Sequence, residues 1–485
     1  MLSKISWPQM VFVTLLGLFL SPMAVAQAED SSHSNSKASV IAIVHVTLIP
    51  MSDGGSIVKD ATIILENGRI SSINAAIPKG AKRINGKGKW LIPGLADMHV
   101  HLPNDDQLPV EPRRGEPPRI DFGTQDIMIP YIANGITQIL NMDATAGAVG
   151  QRNEIASGKV LGPHMALAAV VDGRRQEGRI ANNPSDGRQM VRDLQAEGYN
   201  FVKVYWRLNV ETFLAIVDEA KARNIKVLGH IPKSFEGQLD KAFVPGFGMV
   251  AHAEEFSKHS EDFTDEDAQR FARLAKQSGT WVTPNLVAMR WIASQARSLD
   301  ELKANSNTMY MHPILQSKWI KFNQYHRDLS KPATVAYLDR MVEFHRRLVR
   351  ALKAEGVPMV AGSDTLVSGV VSGFSLHEEL ELLAGAGLSN ADVLSSATRL
   401  PAEWLGVLSD RGTIEVGKRA DLVLLDADPL DDVANTRKIA GIFLSGRYLD
   451  RKKLDSMMAD LAKRNKSGVE RFDWDRLATE LQSQP

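Results

Sequence analysis

His99 and His101 stand two residues apart at the end of the apolar run Leu91-Ile-Pro-Gly-Leu-Ala-Asp-Met-His-Val-His101. In a β-strand, residues i and i+2 point to the same face, so both imidazoles project together from the strand end. Neutral imidazole is the commonest protein ligand for zinc, and an open zinc site needs only about three protein ligands. Two histidines that merely alternate with Val100 are the bland alternative to a metal site.

Other ligand-type side chains also follow short apolar runs: Lys203 in Phe201-Val-Lys-Val-Tyr205, His230 after Val227-Leu-Gly, His252 after Val250-Ala, and Asp364 after Val360-Ala-Gly-Ser. Lysine ligates metals poorly while its amine is protonated. Burial between Val202 and Val204 would lower the Lys203 pKa and let the neutral amine add carbon dioxide, giving a carbamate whose two oxygens can bridge two metals. A lone buried lysine paired with an acid is the competing reading.

These motifs, with Gly198-Tyr-Asn ahead of Phe201 and Gly412-Thr-Ile-Glu-Val-Gly-Lys-Arg-Ala-Asp-Leu-Val-Leu-Leu425 near the end, resemble the amidohydrolase superfamily. The chain looks like the imidazolonepropionase-like and prolidase-like branch of metal-dependent hydrolases, over residues 40 to 450. The resemblance implies an α/β fold: a (β/α)8 TIM-like barrel with a small β-sandwich domain built from N- and C-terminal segments. It also implies two divalent ions, zinc by preference, with His99, His101 and Asp364 on one, His230 and His252 on the other, and a carboxylated Lys203 bridging them. Two divalent cations against the carbamate, Asp364 and a hydroxide leave one positive charge for an oxyanion or a substrate carboxylate.

The chemistry that follows is hydrolysis of an amide-type carbon–nitrogen bond in a dipeptide, an N-acyl amino acid or a cyclic amide. A metal-activated hydroxide attacks the carbonyl, while Asp364 accepts its proton and delivers it to the departing nitrogen. Tyr205 follows Lys203 by two and so faces inward, one layer nearer the barrel mouth. The resemblance implies that Tyr205 contacts the substrate, for example at a terminal carboxylate; a packed aromatic with a hydrogen-bonded hydroxyl is the alternative. Arg113, Arg114 and Arg119 could meet an anion or simply solvate a loop. One rival is a mononuclear deaminase of the same fold, which Lys203 argues against. Another is a non-catalytic binding protein on a hydrolase scaffold, a class that typically loses ligands kept here.

Parallel strands with crossover helices must position these groups, and the stretch from 94 to 407 alternates Val/Ile/Leu runs with helical segments as such a barrel requires. Examples are Phe201 to Tyr205, a helix from Val210 to Arg223, Lys226 to Gly229, Trp281 to Asn285, and Val357 to Ala361. Barrel active sites lie at the C-terminal ends of the strands. Residues 39–93 and 408–450 read as short strands of one small β-domain, with Asn67-Gly68 as a hairpin turn and blocks at Arg419 to Asp426 and Ile439 to Tyr448. Between 287 and 350 the chain is mostly helical, with Trp291, Tyr310, Trp319 and Phe322 as core residues or as parts of a lid. Residues 451–485 read as a C-terminal helical extension.

His377 opens an amphipathic helix, where capping or support of a ligand is a better role than ligation. Gly412 to Arg419 lacks the Ser/Thr of a phosphate loop, and Gly246 to Ala251 leads into a strand ending at His252, so neither implies a nucleotide.

The chain has 485 residues, no cysteine, and 57 Lys plus Arg against 57 Asp plus Glu. Charge balance gives no pull toward nucleic acid, and a small-molecule substrate, including a carboxylate-bearing one, fits better. Absence of cysteine excludes disulfides and thiolate ligands. A homo-oligomer stays open. Lys4, the apolar Val11 to Leu20 and Ala24-Val-Ala26 read as a signal peptide over 1–26, followed by a flexible leader over 27–38. The apolar segment is short for a membrane span, so the processed protein is expected to be periplasmic or secreted, without a stable membrane span. An uncleaved anchor is the alternative. N-terminal sequencing of protein from its own host should find Gln27 or, after the second site Ala26-Gln-Ala28, Glu29 as the first residue; an intact Met1 in soluble cytoplasmic protein refutes export.

Overall fold

The structure, a computed structural model, describes residues 40–103, 122–174, 178–471, 473–476 and 479, all within one compact unit, Ser39–Pro485. The expected signal peptide and the whole of the leader, together with Arg113, Arg114 and Arg119, lie outside the described residues.

Seven parallel strands follow one another around the barrel: β1 (Leu95–Val100), β2 (Ile136–Asn141), β3 (His164–Asp172), β4 (Phe201–Val204), β5 (Lys226–Gly229), β6 (Phe247–Ala251) and β7 (Trp281–Thr283). Every residue of β1 and of β4 is buried, as in strands covered on both faces. The eighth position departs from expectation. Val357 to Ala361 makes only one isolated bridge, between Val282 and Met359, instead of a regular strand.

This segment still closes the ring. The Val360 amide donates to the Val282 carbonyl at 3.0 Å, the Met98 amide to Ala361 at 2.9 Å, and the Asp364 amide to His99 at 2.7 Å. Its regularity is lost because the Ala361 amide turns away to Ser396 and because Gly362 presses directly on β1. A Cβ on Gly362 would lie 2.8 Å from the His99 Cβ and 2.9 Å from its amide nitrogen, so only glycine permits this approach.

A second sheet joins the two ends of the chain. Leu422–Leu425 pairs antiparallel with Trp90–Pro93, and Ile41–Leu48 pairs antiparallel with Val58–Glu66 and parallel with Lys82–Asn85 and Trp90–Pro93. Ile43, Val46, Ile63, Leu91, Leu422 and Phe443 form its apolar core. Asn67-Gly68, with φ of 51° and 73°, makes the expected two-residue hairpin. The block Ile439 to Tyr448 is not continuous. It splits into Ile439–Leu444 and Arg447–Asp450, because Ser445-Gly446 takes the same left-handed pair of conformations, φ 50° and 75°.

The helical stretch contains α1 (Leu286–Arg297), α2 (Pro313–Lys321), α3 (Gln324–Leu329) and α4 (Pro332–Ala354). Trp291 and Trp319 are buried in a shared apolar cluster, whereas Tyr310 stacks on Phe374 at 5.4 Å. Trp319 and Phe322 also border the cavity above the strand ends, so this stretch serves as both packing and wall. After α5 (Phe374–Gly385), the final helix α6 (Arg451–Arg471) docks by an Arg464–Asp126 ion pair of 2.6 Å and by Asn465 donating to Met309 and Met311 carbonyls. No helix among the described residues is long and apolar enough to cross a membrane.

Glu379 of α5 ties this outer layer to the site. Its Oε2 accepts the Val287 amide at 2.8 Å, satisfying a free donor in the first turn of α1 directly beyond Asn285. Burial pushes its carboxyl from 4.5 up to about 8. The unfolded chain therefore ionises this group at lower pH than the native protein does, and its contribution falls as pH rises from 4.5 to about 8. Glu379→Gln should flatten that part of the stability profile, so urea midpoints at the two ends of this window should converge relative to the parent; an unchanged difference rules out Glu379 as the source.

Candidate active site

Strand geometry delivers the ligand-type residues to one end of the barrel. β1 carries Asp97 and His99 on one face, with His101 just beyond it; Lys203 lies in β4, His230 and His252 directly follow β5 and β6, and Asp364 ends the closing segment. His252 and Asp364 adopt left-handed φ values of 73° and 60°, which are costly for residues with a Cβ. Backbone bonds hold both: the His252 amide donates to Thr283 at 2.9 Å and the Asp364 amide to His99 at 2.7 Å.

All six predicted ligands converge. Nε2 of His99 lies 3.3 Å from Nε2 of His101, 3.2 Å from Asp364 Oδ1 and 3.5 Å from Lys203 Nζ. His101 Nε2 is 3.1 Å from Asp364 Oδ1, and His252 Nε2 is 3.3 Å from Oδ2. The His252 ring stacks on His99 at 4.8 Å and meets His230 edge-on at 4.9 Å. It thus stands between the two ligand sets, whereas the family resemblance groups it with His230 alone.

Residues outside the predicted set orient these rings. His99 Nδ1 lies 3.1 Å from Asn285 Oδ1, and because that oxygen only accepts, Nδ1 carries the proton and Nε2 keeps its lone pair for the centre. His230 Nδ1 likewise donates to Glu255 Oε1 at 2.9 Å. Glu255 also accepts the Ile231 amide at 2.9 Å and the Lys258 ammonium at 2.6 Å. Its oxygens are committed to these donors, so it supports a ligand instead of serving as one.

Burial lowers His99 strongly and His230 to about 3, leaving both imidazoles neutral as ligation demands. Burial raises the Asp364 carboxyl, but the electrostatic pull of the adjoining His99 and His252 rings and a hydrogen bond from His101 outweigh it and hold it well below the ordinary aspartate range. Asp97, fully buried beneath His99, is pushed up to about 7 by burial while Ser363 donates to it from its amide at 2.9 Å and its hydroxyl at 2.5 Å.

Ligand atoms of His99, His252 and Asp364 lie within 4.8 Å of one another, as do those of His230, His252 and Glu255. Both ring nitrogens of His252 are buried without a hydrogen bond. That donor set and that orphaned imidazole fit a divalent metal. Lys203 is buried at 2% exposure beside them, and Tyr205 packs on the His230 ring at 4.3 Å, facing the cavity. The cavity holds about 770 Å³ and is bordered by His101, Lys203, Tyr205, His230, His252 and Asp364.

His377 takes no part. Its two nitrogens are used by Thr436 Oγ1 at 2.9 Å and by the carbonyl of Asn134, the residue that ends the helix Thr124–Ala133, at 3.1 Å, so it bolts these elements together and caps that helix end instead of its own helix. Of the missed residues, Asp97 had a signal, being two before His99 on the same strand face. Asn285 and Glu255 had only their places after Thr-Pro and His-Ala-Glu at strand ends.

A model of the amidohydrolase family matches residues 90–449. Imidazolonepropionase of Maricaulis maris is 23% identical over 430 residues, covering 83% of this chain and 96% of that protein. Among solved structures, a bottromycin amidohydrolase superposes with a TM-score of 0.69 at 22% identity, covering 88% of this chain and 90% of that one. A Xaa-Pro dipeptidase with bound methionine in its active site gives 0.63 at 18% identity, covering 85% and 100%. With the family model spanning the barrel and the strands of the second sheet from Trp90 onward, the chain belongs to the amidohydrolase family, hydrolases acting on carbon–nitrogen bonds.

Proposed function

We propose that the chain is a binuclear metal-dependent hydrolase of an amide-type bond in a small substrate: a dipeptide, an N-acyl amino acid or a cyclic amide. The observation that carries this reading is His252, whose two buried ring nitrogens make no hydrogen bond although Asp364 lies 3.3 Å away. Buried polar atoms left unpaired are costly, and a bound cation supplies the missing partner. The relatives named imidazolonepropionase and Xaa-Pro dipeptidase support a carbon–nitrogen bond as the target.

Two divalent ions, zinc by ligand type, would be held by His99, His101, His230, His252, Asp364 and a carboxylated Lys203, and would supply Lewis acidity for the carbonyl and acidity for a water. Asn285 and Glu255 fix the proton on Nδ1 of His99 and His230, so each presents Nε2. Asp364, held ionised, takes a proton onto its carboxylate and returns it to the leaving nitrogen, which departs only when protonated. Tyr205, lying against His230, contacts the substrate beside the scissile bond. Lys203, 3.5 Å from His99 and fully enclosed, favours two ions over the single ion of a deaminase.

Elemental analysis of the processed protein should find about two divalent ions per chain. Lys203→Ala should lose metal and turnover together, and partial recovery by a short carboxylic acid is expected of a bridging carbamate. One ion at full activity rejects the two-ion reading.

Asp364→Asn keeps one oxygen donor but cannot carry the proton. Turnover of an unactivated amide should fall roughly a hundredfold or more, mainly in kcat, with a smaller loss for an activated anilide or ester. Equal losses for all leaving groups in a fully metal-loaded variant assign the proton transfer to another residue.

A further inference from the structure

The cavity over the ligand-type residues has a second wall, made of helices and not of barrel strands. α2 and α3 bring Leu315, Trp319, Phe322 and Tyr325 to it, and Ile292 of α1 stands beside them. Spacings of three and four residues keep positions 315, 319 and 322 on one helical face. Leu315 and Trp319 are buried and Phe322, Tyr325 and Ile292 half-buried, whereas the polar members of the same stretch, Lys318 and Gln324, are exposed. The enclosed part of this wall is therefore apolar and mostly aromatic.

The two helices are held in different ways. Asn323 Nδ2 donates to Gln295 Oε1 at 2.6 Å and to the Trp319 carbonyl at 2.8 Å, and His326 Nδ1 donates to the Gln295 carbonyl at 3.0 Å, which bolts α3 to α1. α2 is instead gripped by residues beyond α6. Ser317 Oγ donates to Asp475 Oδ1 at 2.5 Å, and Lys321 Nζ donates to the Asp475 carbonyl at 3.3 Å. Trp474 packs on the cluster of Trp291 and Trp319 and meets His312, the residue that caps α2, edge-on at 5.1 Å. Its indole donates to the Gly468 carbonyl of α6 at 2.9 Å. None of His312, Ser317 and Lys321 borders the cavity, so the C-terminal segment acts on the back of the wall helix. Such partly exposed contacts add little to overall stability, and their main effect is on where α2 stands.

The cavity volume of about 770 Å³ lies in the upper half of the range for ligand sites, about 300–1,000 Å³. A dipeptide of small residues leaves much of that space, and most of the aromatic wall, unfilled.

Resting on the amide-hydrolase reading above, we propose that the α2–α3 wall is the subsite for a large, flat apolar group of the substrate, and that Trp474 and Asp475 are positioning residues that hold this wall over the centre. The favoured amides then carry an aryl or polycyclic aromatic substituent on the acyl or the amine side of the scissile bond.

Two substrate series on the metal-loaded full chain test this. One enlarges the acyl group, through N-acetyl-, N-benzoyl- and N-naphthoyl-alanine; the other enlarges the amine side, through N-acetyl-alanine, N-acetyl-phenylalanine and N-acetyl-naphthylalanine. In one of the two, kcat/KM should rise by roughly tenfold to a hundredfold from the smallest to the largest member, chiefly through KM, as burial of an aromatic ring provides. Phe322→Ala should remove most of that ratio. Asp475→Ala and Trp474→Ala should each lower it by about threefold with little change in Tm, and Asp475→Asn, which still accepts from Ser317, should keep most of it. Titrating both series calorimetrically into Asp364→Asn, alone and combined with Phe322→Ala, reads the preference without turnover. If the parent hydrolyses no member of either series, the hydrolase reading fails, and titration of the parent and of Phe322→Ala still decides the role of the wall. Equal affinity across both series, or a ratio that survives Phe322→Ala, overturns the subsite. Equal losses for small and large substrates in the Trp474 and Asp475 variants overturn their positioning role.

Discussion

The Asp364 amide donates to the His99 carbonyl at 2.7 Å, and the site depends on this one bond. It closes the barrel where the described residues form no regular eighth strand, and it sets the Asp364 carboxylate 3.2 Å from Nε2 of His99. Gly362 makes the approach possible, since any side chain there would collide with His99. Thr365 reinforces the seam by accepting the His101 amide and donating to the His101 carbonyl, both at 3.2 Å, while Tyr131 meets the same hydroxyl at 3.1 Å. Left-handed backbone at Asp364 is tolerated because these bonds over-determine its position.

Around that seam, buried acceptors decide what each imidazole offers. Asn285 holds the Nδ1 proton of His99, and Glu255 holds that of His230. Each acceptor is itself held: Glu255 by Ile231 and Lys258, Asn285 by standing at the start of a helix whose free amides meet Glu379. The hydrogen bonds around the centre thus run outward from His99 to Asn285 and, at the start of the helix that follows, from Val287 to Glu379. Such outer contacts tune metal ligands as much as the ligands themselves do.

The opposite side of the cavity follows a different logic. Helices α2 and α3 bury Trp319 for stability and spend the same face on the cavity wall, so packing and recognition are not separable there. Barrel strands fix the chemistry, and inserted helices adapt the space above it, in keeping with folds whose active sites vary through their loops.

Much of the centre was legible in the residues themselves. Period-two geometry makes His99 and His101 neighbours whatever the rest of the chain does, and strand-end positions for Lys203, His230, His252 and Asp364 follow from apolar runs that stop short of each. Asn67-Gly68 announced its hairpin because only left-handed residues fit that turn, whereas Ser445-Gly446 hid a second one behind an ordinary serine. The irregular closing segment, the sharing of His252 between two ligand sets and the partners of His99 and His230 were not legible. Asn285 is 186 residues from His99, and Glu379 lies 92 from Val287. Backbone periodicity within one strand is a local property that sequence determines. Which side chain meets which across the barrel depends on how separately folded elements pack, and only the tertiary structure decides that.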